Sequence, residues 1–206
     1  MRLLAGSLRC PCGGRLGPWG HACRRRIAMP HGLEEFRPRR SRCRRCGRTH
    51  VLLPAGLWSR RRYGAAVIMA VLVLAVQAEA AGRAAARPWL PVPGGRRQVP
   101  ASTARSWRSR FAWHAAGLRE QVMRLLPAVS GRESARPLVP SGSAAGDCLA
   151  ALGAVTAGLR SRFPALAAVS AHEMAAHLSG GLWLAPGEPV LEFNTSVFPA
   201  GVMSPS

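Results

Sequence analysis

Arg42-Cys43-Arg44-Arg45-Cys46-Gly47-Arg48-Thr49-His50-Val51-Leu52-Leu53-Pro54 is the stretch that decides how the amino-terminal part of the chain folds. Two cysteines separated by two residues can place both sulfurs on one ion, at about 2.3 Å each for zinc. Gly47, directly after the second cysteine, tolerates positive φ and lets backbone N–H groups point at the thiolate. Thr49 to Leu53 then reads as a short β-capable stretch. Upstream, Cys10-Pro11-Cys12-Gly13-Gly14 has the same Cys-Gly ending and reads as the partner knuckle. The 30 residues between the knuckles suit a zinc ribbon, with two β-turns facing each other across the ion. The expectation is a structural Zn2+ held by Cys10, Cys12, Cys43 and Cys46. Four thiolates leave no open position for water, so a catalytic zinc is not expected. The first knuckle is one residue short, C-x-C instead of C-x-x-C, and Cys23, His21, His31 or His50 stay open as a replacement for one ligand.

All 29 basic residues are arginine, and the net charge is +20. Abundant Ala, Gly and Pro point to a coding sequence rich in G and C, which raises arginine everywhere; its placement is therefore the informative part. Residues 1–62 carry 16 arginines against Glu34 and Glu35. Residues 63–136 carry 11 against Glu79, Glu120 and Glu133. Residues 137–206 carry only Arg160 and Arg162 against Asp147, Glu173, Glu188 and Glu192. The first two-thirds read as a polyanion-binding surface and the last third does not. Six cysteines in two close pairs plus two singles do not read as a disulfide framework. The apolar start is cut by Arg9, too early for a signal peptide. A reducing cytoplasm is the expected compartment, and paired cysteines there usually bind metal.

Ala65 to Val76 is a run of twelve apolar residues behind Arg60-Arg61-Arg62. A membrane span needs about 20, so a buried helix is expected; a single span at 65–79 stays as the alternative. The fold class read from the sequence is mainly α. It divides into a zinc ribbon over 1–56, a helix-turn-helix-like region over 57–126 and a linker over 127–146. A helical accessory region follows over 147–181, split at Pro164, then a loosely ordered tail over 182–206. One helix is expected over 57–80, and another from about Ser102 to Leu126, ended by Pro127. The apolar positions Trp107, Phe111, Leu118, Val122 and Leu125 recur at 3, 4 or 7 residues, which gives that helix one apolar face.

Val99-Pro100-Ala101-Ser102-Thr103-Ala104-Arg105-Ser106-Trp107-Arg108 carries the second pattern. Ser102 or Ala101 caps the helix, and Ser102, Thr103, Arg105, Ser106 and Arg108 occupy its first turns. At the start of a recognition helix such residues reach base edges and phosphates in the major groove. The plainer alternative is an amphipathic helix with a solvated arginine face. Together, the run from Arg42 to Pro54, Arg62-Tyr63-Gly64 with its small-residue helix, and Val99 to Trp107 resemble an uncharacterised bacterial family. Its members look like the amino-terminal part of insertion-sequence transposases, a zinc ribbon followed by a helix-turn-helix. The resemblance covers roughly residues 9–125, and weakly Leu149–Gly181; it implies DNA binding, and double-stranded DNA is the expected partner. Two features depart from it: the short first knuckle, and AAARPWLPVPGGRRQ over 84–98, which cannot form the first helix of a helix-turn-helix cleanly. A degenerate remnant without function is a further alternative.

No enzyme is expected. His172 and His177 stand five apart, not the four that a zinc-protease helix needs to put both rings on one face. The single aspartate, Asp147, cannot supply the acidic triad of transposase chemistry. Cys148 reads as core packing. No small-molecule substrate is expected, and homodimerisation stays open.

Overall fold

The computed structural model describes residues 8–54, 56, 57, 62–129, 138–169 and 174. Among these stand seven strands and three α-helices, so the expectation of a mainly α chain is corrected. The strands are β1 (Leu16–His21), β2 (Arg25–Met29), β3 (Gly32–Phe36), β4 (Arg39–Cys43), β5 (Thr49–Leu52), β6 (Trp89–Val92) and β7 (Gly95–Gln98). They form three small antiparallel sheets: β1-β4-β5, the hairpin β2-β3 and the hairpin β6-β7.

In β4 the side-chain alternation is plain: Ser41 and Cys43 are buried while Arg40 and Arg42 project to the other face. Leu16 of β1 pairs with Cys43 and joins it in the small core beneath the sheet. Ile27 and Ala28 are the buried members of β2.

The start expected near Trp58 or Ser59 lies outside the described residues; the helix expected over 57–80 is observed as α1 (Ala65–Ala80). Ahead of it the backbone is held extended against β2: Ala28 donates to the Arg62 carbonyl at 2.8 Å, and Gly64 donates to the Ala28 carbonyl at 2.9 Å. A Cβ at Gly64 would stand 2.5 Å from Met29 Sδ, so a larger residue there would push the end of that side chain aside. The segment expected to hold the first helix of a helix-turn-helix is instead the hairpin β6-β7. Pro93-Gly94 forms its two-residue loop, with Gly94 at φ 85°; proline followed by a positive-φ glycine is the type II pattern. Proline survives in β6 because a two-stranded hairpin consists entirely of edges. Among the described residues, no helix-turn-helix therefore precedes the long helix.

That helix, α2 (Ala101–Val129), starts with Pro100 supplying the first accepting carbonyl, to Ala104 N–H at 3.0 Å, so Ser102 lies inside the first turn and is not the cap. It runs through Pro127 instead of stopping there; the missing N–H touches only the last turn. The third helix, α3 (Ala144–Arg162), takes Ser143 as its N-cap, whose hydroxyl accepts from Gly146 N–H at 3.1 Å. A 3-10 turn follows at Pro164–Leu166. Residues 170–173 and 175–206, with His172, His177 and the tail, lie outside the described residues.

The main core is the seam of α2 against α3, with α1 laid across α2. Trp107, Phe111, Leu118 and Val122 are buried as their spacing requires; Leu126, not Leu125, completes the buried row. Tyr63 meets Trp107 edge to face at 5.0 Å between ring centroids, which ties the start of α1 to α2. Val99, fully buried, anchors the end of the β6-β7 hairpin to this core. Among the described residues, no helix is long and apolar enough to cross a membrane.

Candidate metal centre

The first knuckle lies ahead of β1 and the second follows β4, so pairing of these two strands carries both to the same end of the sheet. There the sulfurs of Cys10, Cys12, Cys43 and Cys46 all lie within 4.8 Å of one another. Cys10 and Cys46 are separated by 3.7 Å, Cys12 and Cys43 by 3.5 Å. A tetrahedron with metal–sulfur bonds of about 2.3 Å has edges of about 3.8 Å, so the donor set fits one such ion. Cys10 and Cys43 are buried, Cys12 is half-buried and Cys46 is exposed. The cluster sits at the surface with one sulfur toward solvent.

The short first knuckle chelates as it stands, because its two glycines absorb the missing residue. Gly13 adopts φ 81° and donates to the Cys10 carbonyl at 2.8 Å. Cys10 donates to the Gly14 carbonyl at 2.8 Å, closing the loop. Gly14 is buried against the second knuckle: a Cβ on it would stand 2.6 Å from both Cys43 Sγ and Arg45 Cβ. Of the residues open as a replacement ligand, Cys23 is exposed outside the cluster, and His31 pairs with Glu34. His50 comes closest, with Nε2 3.3 Å from Cys10 Sγ. It stands behind a ligand as a hydrogen-bond partner, the position in which outer groups orient a metal ligand.

In the second knuckle the backbone N–H groups of Arg45 and Cys46 donate to Cys43 Sγ at 3.3 and 3.5 Å. The Cys46 N–H, with that of Arg45, outweighs burial and brings the Cys43 thiol down to about 6. Cys10 behaves oppositely. The Cys12 N–H acts to lower it, but burial and the neighbouring thiols of Cys12, Cys46 and Cys43 push it up to about 12. Ligand thiols give up their protons to a bound cation, so metal uptake at such a site depends on pH.

The residues expected at a DNA interface lie elsewhere. Ser102, Arg105, Ser106 and Arg108 are exposed on the first turns of α2, and Thr103 is half-buried. Arg105 and Arg108 border a groove whose floor includes Val71 of α1 and Ala104 of α2. One exposed residue that the sequence pattern did not single out is Trp19, which sits under the Arg42 guanidinium at 4.7 Å from the ring centroid. Its only sequence signal is an aromatic side chain between Pro18 and Gly20 in an arginine-rich neighbourhood.

Compared with known families, the chain is similar over residues 10–87 to a domain of unknown function, DUF6431. The matched stretch opens at the first cysteine of the cluster, takes in all four, and runs past α1 to the residues before β6. It supports an uncharacterised family and does not extend to the transposase likeness. No curated protein and no solved structure matches the chain.

Proposed function

We propose that the chain is a small DNA-binding protein in which a structural zinc ion, closed off by Cys10, Cys12, Cys43 and Cys46, holds an arginine-covered platform. The supporting observation is that the cysteine cluster and the densest basic charge share one small unit. Residues 8–54 hold 12 arginines against Glu34 and Glu35. Among the described residues, only Arg24 of these stands in an ion pair, with Glu35. Such a surplus of exposed guanidinium groups is complementary to a phosphate backbone, and its affinity falls with salt as counterions are released.

Four thiolates favour zinc over harder cations such as Mg2+ or Ca2+ and complete its coordination, so the ion shapes the fold and performs no reaction. Exposed Ser102, Arg105, Ser106 and Arg108 at the start of α2 add donors near a helix N-terminus, where phosphate is favoured. The protein acts on this reading without a catalytic centre and in the cytoplasm. Elemental analysis of the purified protein tests the first half: about one zinc per chain is expected, lost in Cys43→Ser/Cys46→Ser. A gel shift on random duplex at two salt concentrations tests the second half. Binding that is absent at low salt, or unchanged when salt is raised, refutes it.

A further inference from the structure

The β1-β4-β5 sheet has one face on the small core and one face in solvent, and the solvent face is unusual in composition. Arg40 and Arg42 of β4 project from it, opposite Val51 and Thr49 of β5. Arg44 lies across Gly17 of β1, its Nε 3.5 Å from where a Cβ on that glycine would stand. At the far end of β1 the register slips between Pro18 and His21, so that Trp19 and Gly20 form a bulge opposite β4. Gly20 takes φ 82° there, a conformation that costs glycine little. A bulge re-aims a side chain, and here Trp19 is brought to Arg42 while half of its surface stays exposed.

A tryptophan is costly to leave in water, and packing against neighbours would normally remove it from solvent. Trp19 is instead propped by a guanidinium in a field of arginines. Duplex DNA hides its base faces within the stack and offers an indole nothing to stack on. An unpaired strand offers both bases and phosphates, and aromatic platforms set in basic grooves are how proteins hold such strands. The geometry points to the outer face of β1-β4-β5 as a site for single-stranded nucleic acid, with Trp19 stacking on a base and Arg40, Arg42 and Arg44 on phosphates. This rests on the DNA-binding reading above and adds to it a surface and a strand state.

The test uses the full zinc-loaded chain and fluorescent probes of about 15 nucleotides, within the range of single-strand site sizes: an oligo-dT strand and a random duplex of equal length. Trp19→Ala is expected to weaken the oligo-dT complex roughly tenfold, the loss of one base–aromatic stack, and to leave duplex affinity unchanged. Trp19→Phe should retain most of the binding. Arg40→Ala, on the same face and outside the knuckles, should weaken both complexes, and Trp113→Ala, which removes an indole exposed elsewhere on α2, should weaken neither. Zinc content of each variant reports that the ribbon is intact. Equal oligo-dT affinity in Trp19→Ala and wild type overturns the inference, as does an equal loss on strand and duplex. Wild-type binding to duplex but not to oligo-dT overturns this inference alone; binding to neither probe overturns the DNA-binding reading with it.

Discussion

Serine in place of Cys43 and Cys46 removes two of the four sulfurs and leaves no set that can close a tetrahedron. The cost follows from what else holds that end of the molecule. The core beneath β1-β4-β5 has Cys10, Leu16 and Cys43 as its buried members, with Leu8, Cys12 and Leu52 partly buried around them. Three of these six are ligands themselves. Burying Leu16 contributes about 2–3 kcal/mol, whereas a structural zinc, the ion proposed above for this set, would contribute about 10–16 kcal/mol at neutral pH. On that reading the metal term is larger by several-fold, and the sheet is expected to depend on it. The helices have a separate core, into which the β2-β3 hairpin sends Ala28. The double variant, or wild type stripped with a chelator, is therefore expected to lose β1, β4 and β5 and to keep α1, α2 and α3. Limited trypsin digestion read by mass spectrometry should show early cleavage at Arg9, Arg15 and the arginines from Arg39 to Arg48. Helical circular dichroism should survive. A stripped protein whose ribbon resists trypsin as well as the loaded one would refute the reasoning, and so would collapse of helices and ribbon in a single step.

Gly14→Ala places a methyl against Cys43 Sγ and Arg45 Cβ, each 2.6 Å away, and is expected to lower metal affinity roughly 10- to 100-fold in competition with a chromophoric chelator. Phe111→Ala empties a side chain only 1% exposed; it should destabilise the helical core by about 3–5 kcal/mol in urea titration and leave metal content unchanged. The Ser141 N–H, at 2.6 Å, holds the Asp147 carboxyl below its ordinary value, aided by Arg119. A carboxylate lowered in the folded state stabilises above its unfolded pKa and loses that contribution as pH falls through the folded one. Asp147→Asn should thus lower stability at neutral pH, and the difference from wild type should close in acid. Burial pushes the Cys148 thiol up to about 12, so in folded protein it should stay unreactive toward a thiol reagent that labels exposed Cys23.

The knuckles were legible because ligand spacing is local chemistry: C-x-x-C-G specifies a turn and a donor pair within five residues. C-x-C is one residue short by count, but Gly13 at positive φ and Gly14 packed without a Cβ against Cys43 make up for the missing position. Helical periodicity placed Trp107, Phe111, Leu118 and Val122 in the core for the same local reason. β5 showed in the sequence as Thr49 to Leu53, but β4 and β7 were hidden because their residues are atypical. Arg39 to Cys43 and Gly95 to Gln98 lack the β-branched and aromatic residues that usually signal a strand, and pairing partners, not propensity, hold them. Residues 87–100 were readable as non-helical from their prolines, but the hairpin depends on Pro93-Gly94 and on Val99 finding a cavity in the helical core. The start of α1 was misplaced because the bonds between Ala28 and residues 62 and 64 are long-range, and no local signal reports them.

The arginines of the ribbon do not all do the same thing, and the metal centre separates them. Four thiolates around the proposed zinc ion would carry two more negative charges than the ion carries positive, and a partly buried site of that kind needs the excess offset. Arg44 and Arg45 lie within the second knuckle. Arg45 also reaches across to the first, its Nη1 donating to the Cys12 carbonyl at 2.9 Å, while its stem closes over Gly14. Arg42 holds the Gly47 carbonyl at 3.1 Å. These side chains are tied to the centre's charge and turns, so changing them disturbs metal and surface together. Arg25 and Arg26 of β2 and Arg39 of β4 are exposed and belong to no such contact among the described residues. Charge reversal there leaves the cysteine cluster untouched, and a fall in salt-sensitive nucleic-acid binding at constant zinc content then measures the platform alone.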